Sequence, residues 1–217
     1  MRAAIAALGV VSALAFAPGI AGAAETTFSG FTDGCFGVAC IPPATPITAT
    51  QSITTGGLTY SNSTFSVTTA AGFLSLGGSP GSPNVDNLGS FSLSGTPFSY
   101  NGTKFNMGIT FTGPAFIVPG QIVITGSALG TVTSTDNGGV FVDFDNTLQR
   151  ITVGEGPSAK QFDFWINDFS VTPGRTVGVT GSILAFTAVP EPDTYAMMLA
   201  GLGLMGFIAR RRKQKTA

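Results

Sequence analysis

Histidine is absent from all 217 residues of this chain. That removes the commonest general base and the commonest nitrogen ligand for a metal ion. A serine or cysteine nucleophile would have no imidazole to activate it, so Ser-His-Asp and Cys-His arrangements are excluded. Charge is scarce too, with 10 Lys and Arg against 11 Asp and Glu. Segment 24–189 holds only four cations, Lys104, Arg150, Lys160 and Arg175, against nine acids. It offers no basic surface, and no nucleic-acid partner is expected for it. A G-x-x-x-x-G-K-[ST] phosphate loop is missing as well. No stretch of 24–189 repeats its apolar residues at the helical period.

What is present is concentrated at the two ends. Met1-Arg2 is a short positive start, 3–16 an apolar run, Pro18-Gly19 a helix break and Ala21-Gly22-Ala23 an A-x-A cleavage site. Together they predict a secretory signal peptide over 1–23, removed by signal peptidase to leave Ala24 first. At the other end Val189-Pro190-Glu191-Pro192 is followed by an apolar run over 195–209 and then by Arg210-Arg211-Arg212-Lys213-Gln214-Lys215. The run has 15 residues. As a helix it would span about 22 Å at ~1.5 Å per residue, short against a hydrocarbon core of roughly 30 Å. Snorkelling of the basic side chains and local thinning absorb part of that mismatch. The basic cluster keeps to the cytoplasmic side, which puts everything upstream across the membrane. An ordinary single-span anchor is the alternative reading.

Val-Pro-Glu-Pro, a short polar step through Asp193 and Thr194, a Gly-rich apolar segment and an Arg-rich end resemble the PEP-CTERM sorting signal of Gram-negative bacteria. The same tail is also described in some schemes as an ice-binding protein C-terminal region, a description of the tail and not of ice binding. The resemblance implies that Pro190, Glu191 and Pro192 are recognised by an exosortase, a membrane transpeptidase-like protease. It implies further that 195–209 holds the chain transiently in the inner membrane and that Arg210, Arg211 and Arg212 stop transfer. The product would be membrane-anchored before processing and released to, or fixed at, the cell surface or extracellular matrix after it.

Between the ends lies a body of 166 residues, 24–189, the size of one domain. Apolar residues alternate with Ser and Thr over short runs separated by Gly, Pro and Asn, the pattern of strands. The predicted strands are 47–54, 58–69, 72–76, 88–94, 104–111, 120–124, 128–134, 140–145, 148–153, 160–170 and 176–187, with Asn101-Gly102 as a type I′ hairpin turn. So many short strands in one domain predict an all-β fold, an antiparallel β-sandwich of jelly-roll type. Segments 122–130 and 177–185 share the pattern V/I-x-V/I-T-G-S-x-L-G/A, which two equivalent bent strands would explain. The Leu88-Gly-Ser-Phe91 opening and the last strand running into the tail resemble the choice-of-anchor domains that precede such signals.

Four groups of residues in the body invite a chemical reading. Cys35 and Cys40 predict a local disulfide in an oxidising compartment; a metal pair would need ligands the chain lacks. Asp143 and Asp145 would share one face of a strand about 6.7 Å apart, a spacing open to Ca²⁺ binding, to acid/base work on a glycosidic bond, or to plain solvation. Trp165, the one tryptophan, falls on the outward face of its strand with Asp163 and Asn167, where it could stack on a sugar or cover the end of the core. The scattered Thr-x-Thr steps have no fixed period and look like ordinary strand faces. The expected protein is therefore exported and non-enzymatic, needs no cofactor with Ca²⁺ as the one candidate, and works structurally or adhesively in exopolysaccharide or biofilm. A carbohydrate-binding module using Trp165, or a hydrolase on Asp143 and Asp145, are the alternatives.

Overall fold

The computed structural model describes residues 25–44, 51–81, 84–135, 137–185 and 198–205. The predicted signal peptide, the tripeptide Pro190-Glu191-Pro192 and the arginines 210–212 lie outside them.

Between Thr27 and Ala185 the fold is all-β, as the alternating pattern predicts. Its largest sheet runs in the order β15 (Phe169–Val171), β12 (Asn137–Phe144), β11 (Gln121–Ser134), β9 (Thr103–Gly113), β1 (Thr27–Phe36), β4 (Ser63–Thr68), β6 (Asn84–Val85), with β8 (Phe98–Ser99) also on β11. A second sheet is β10 (Ile117–Val118), β13 (Gln149–Val153), β14 (Lys160–Ile166), β17 (Gly181–Ala185), β5 (Phe73–Leu76). A third is β16 (Thr176–Gly178), β7 (Ser90–Leu93), β3 (Leu58–Ser61), β2 (Ser52–Thr55). Among the described residues every strand pairing is antiparallel except the short β4 to β6 contact.

Aromatic side chains weld the large sheet to both smaller ones. Phe28 meets Phe162 at 5.0 Å and Phe111 meets Phe164 at 6.4 Å, edge to face. Phe105 meets Tyr60 and Phe91 of the third sheet, each at 4.9 Å. One layer of the sandwich is thus the large sheet, and the second and third sheets share the other. They are stitched together where Val179, between β16 and β17, exchanges backbone hydrogen bonds with Leu88 and Gly89.

The central strand β1 was absent from the sequence expectation. Its inward positions are Phe28, Gly30, Thr32, Gly34 and Phe36, and the two glycines hide its alternation. Gly34 is there because a Cβ would stand 2.8 Å from both Phe105 Cε2 and Tyr60 Cδ1. The core rings take up the space that a side chain on β1 would need.

Several expected strands are divided or merged. Segment 58–69 is two strands in different sheets, broken at Asn62. Its Oδ1 accepts the Gln51 N–H at 3.0 Å, while Asn84 Nδ2 donates to the Ser61 and Asn62 carbonyls. Segment 160–170 likewise divides into β14 and β15, where the Asn167 N–H and Nδ2 donate to Thr180. Segment 176–187 divides at Val179-Thr180, whereas 120–124 and 128–134 are one continuous strand, β11. The two similar segments are therefore not equivalent strands. Within 47–54 the strand is confined to Ser52 onward, and 47–50 lie outside the described residues.

Asn101-Gly102 forms a turn closed by Thr103 N–H to the Tyr100 carbonyl, but it joins no hairpin. β8 and β9 both pair with the same strand, β11, so the turn is an outward loop in one interrupted edge. Only Gly102 of the pair has positive φ, 87°, whereas type I′ geometry needs it at both residues.

Candidate functional site

Cys35 and Cys40 are joined, with 6.0 Å between their α-carbons, which settles the disulfide against the metal pair. Asn106 on β9 fixes the loop they close by donating to the Gly37 and Cys40 carbonyls at 3.3 and 2.6 Å. Gln121 Nε2 donates to the carbonyls of Pro42 and Pro43, and Pro42 rests on Gly108. The loop and the proline segment thereby lie over the outer face of the large sheet.

Asp33 pairs with Gly108 across the strands and is only 6 % exposed. Its Oδ1 accepts the Gly34 N–H at 2.7 Å. Burial pushes the carboxyl above its ordinary value, and that bond offsets the push only in part. The raised value means that the fold disfavours the carboxylate, a cost present at neutral pH that disappears below the unfolded value near 3.8. Asp33→Asn keeps the acceptor and removes the charge. It is expected to melt at higher temperature than the parent at pH 7, the gap closing as pH falls toward about 4. A gap that stayed constant with pH would show that the carboxylate carries no such cost.

Asp143 faces outward on β12 opposite Ser127, as alternation predicts. Asp145 lies one residue past the end of the strand, not on it. Its Oδ1 accepts the backbone N–H and the hydroxyl of Thr147, and these bonds hold its carboxyl below the ordinary value. Such a closure is a turn formed by a side chain and its own backbone. Among the described residues, no three of His, Cys, Asp or Glu gather in a group that could hold a metal ion. Asp168, not singled out by its sequence, stands nearby: it accepts the Phe144 N–H at 2.9 Å and the Asn146 amide at 3.1 Å. It pins the start of β15 to the end of β12, a long-range contact with no local signal.

Trp165 sits on the outer face of β14 as expected, half-buried, while Phe162, Phe164 and Ile166 fill the core. Asn167 has left the strand and bonds Thr180. Ser182 lies opposite Trp165. The neighbouring row crosses four strands: Arg150, Asp163, Leu184 and Phe73. Arg150 Nε donates to Asp163 Oδ1 at 3.0 Å, and Leu184 and Phe73 are 46 % and 45 % exposed. Trp165 is diagonal to Leu184, within reach for a large ring. The outer face therefore carries an apolar strip bordered by an ion pair. Phe73 and Leu184 escaped sequence reasoning because each looks like an ordinary strand residue until register sets them side by side.

Past Ala185 the next described residues, 198–205, are helical, and Met198, Leu199, Leu202, Leu204 and Met205 are all more than half exposed. Among the described residues no helix is long and apolar enough to cross a membrane. Neither a curated protein nor a solved structure matches the chain. A family model does match its end, and through residues 188–213 the chain carries a PEP-CTERM protein-sorting motif.

Proposed function

We propose that this is a non-enzymatic surface protein, exported, processed at Pro190-Glu191-Pro192 by an exosortase, and built into the extracellular polysaccharide as a structural or adhesive component. The sorting motif itself supports exosortase-dependent export to the cell surface. The observation that carries the reading is the position of that motif, which begins at residue 188, directly behind a strand that ends at Ala185. The sandwich and the signal are thus adjacent, with no further domain between them. A signal peptidase acts at the other end under this reading, and the inner membrane holds the chain only in transit. Protein recovered from its native host should begin near Ala24, end near Pro190 to Pro192 and fractionate away from the inner membrane. An intact-mass measurement that finds Arg210 to Lys215 retained in the inner membrane would instead make the tail a permanent anchor.

The outer face of the second sheet supports a second reading, a carbohydrate-binding surface. A half-buried indole beside exposed Leu184 and Phe73, flanked by polar groups, supplies an apolar platform on which a pyranose face can stack. Trp165→Ala should reduce co-sedimentation with the host's extracellular polysaccharide at least tenfold while leaving the melting temperature within a few degrees. Equal co-sedimentation of variant and parent would remove the reading.

A further inference from the structure

Both termini of the sandwich are fastened to one short turn. Thr26 and Thr69 exchange hydrogen bonds, and the Glu25 carboxylate accepts the Thr69 hydroxyl and the Ala71 N–H at 3.1 and 2.9 Å. One residue further along, the Gly72 carbonyl accepts the Ala185 N–H at 2.7 Å. The N-terminal and C-terminal extensions therefore leave from the same end of the body.

That end is also where the chain crosses between layers. β4 passes to β5 through 69–72, and β9 passes to β10 through 114–116. Ser29 pairs with Gly113, Ile117 with Val153, and the Phe116 carbonyl accepts the Gly154 N–H, so these loops and the 154–159 loop form one rim. Exposed on it are Phe116 at 65 % and Val118 at 64 %, at the β10 edge of the second sheet, while Phe73 and Leu184 are exposed toward its opposite edge, β5. Phe116 holds a φ of 59°, a region that non-glycine residues rarely adopt, and it does so with its ring turned to solvent. The ionisable groups on these segments are only Glu25, Glu155 and Lys160, so the acidity of the body is not concentrated here.

We propose that this rim is a lipid-docking surface, laid on the membrane while the sorting tail is still in the bilayer. The proposal rests on the sorting reading for the position of the tail. Nine residues, 186–194, separate Ala185 from the apolar run, and even fully extended they reach only about 30 Å at ~3.3–3.6 Å each. The tail must therefore hold this end close to the headgroups, where exposed Phe and Val side chains are favoured over water. Contact is apolar rather than electrostatic, and the opposite end, with Ser134 and the Asn101-Gly102 turn, points away.

The test uses the full chain in vesicles of phosphatidylethanolamine and phosphatidylglycerol carrying a nitroxide lipid. Because Cys35 and Cys40 are bonded, one introduced thiol takes a fluorophore specifically. Ser158→Cys reports the rim, Ser134→Cys the far end and Met198→Cys the tail. Expected are strong quenching at 158, none at 134, and loss of the quenching at 158 when Phe116 and Val118 are both replaced by Ser. Quenching at 158 no greater than at 134, or unchanged by the double Ser replacement, overturns the docking surface. The label at 198 decides the other question: if it is unquenched the tail is not in the bilayer and the sorting reading fails, whatever the rim does.

Discussion

Replacing Pro190 and Glu191 together by Ala is expected to abolish processing, leaving the full tail on the chain and the protein in the inner membrane. Two prolines around a carboxylate disfavour a helix, and in the sequence this charged step comes just before an apolar run. Under the proposed sorting, these residues are what the exosortase recognises. On the same proposal, the apolar run and the arginines behind it would still stop transfer in the variant, with nothing to release them. The altered residues lie beyond β17, so the sandwich should fold as before, and its melting temperature serves as the control. Intact mass reads the outcome directly, because 25 residues follow Pro192. Unchanged mass and surface yield in the variant would mean that recognition lies elsewhere in the tail.

Phe105→Ala is expected to cost about 3–5 kcal/mol, the range for emptying a buried phenyl site. Phe105 is fully buried on β9, and its ring touches Phe36, Tyr60, Phe91 and Phe144, drawn from four other strands and two sheets. Few neighbours can collapse into the gap, because Gly34 beneath the ring belongs to a strand already paired on both edges. Against a total stability of roughly 5–15 kcal/mol this removes a large share, about 10 °C or more in melting temperature for a domain of this size. Phe141→Ala is the comparison: Phe141 is 40 % exposed on the outer face opposite Leu129, and its loss should cost under about 1 kcal/mol. If chemical denaturation gave the two variants similar losses, Phe105 would not be the joint between the layers.

The sequence made some of this visible and hid the rest for identifiable reasons. Alternation in 160–166 placed Phe162, Phe164 and Ile166 inside and Trp165 outside correctly, because a strand paired on both edges and packed on one face leaves a clean period of two. The disulfide was legible from spacing and compartment. β1 was not, since Gly30 and Gly34 occupy inward slots where a hydrophobic residue would have signalled a strand. The breaks at Asn62, Asn167 and Val179 were also hidden. Strand-forming residues lie on both sides of each, and hydrogen bonds to Asn84, to Thr180 and to the Leu88-Gly89 backbone create the turn from afar. In the tail the residue order was enough, because the signal is linear and needs no partner from elsewhere in the chain.

The place of β17 in its sheet has a consequence for timing. It is an interior strand, flanked by β14 and β5, and it is the last of the described strands in chain order. Until it arrives, β5 and β14 have unpaired edges and the Phe162 and Phe164 side of the core is open, a slow, long-range closure of the kind that delays β-proteins. A chain threaded across the membrane from its N-terminus therefore finishes folding only when the residues next to the sorting motif have emerged. Under the proposed sorting, a pause of the apolar tail in the bilayer would keep that unfinished edge at the membrane, away from other unfolded chains, until the sheet is closed.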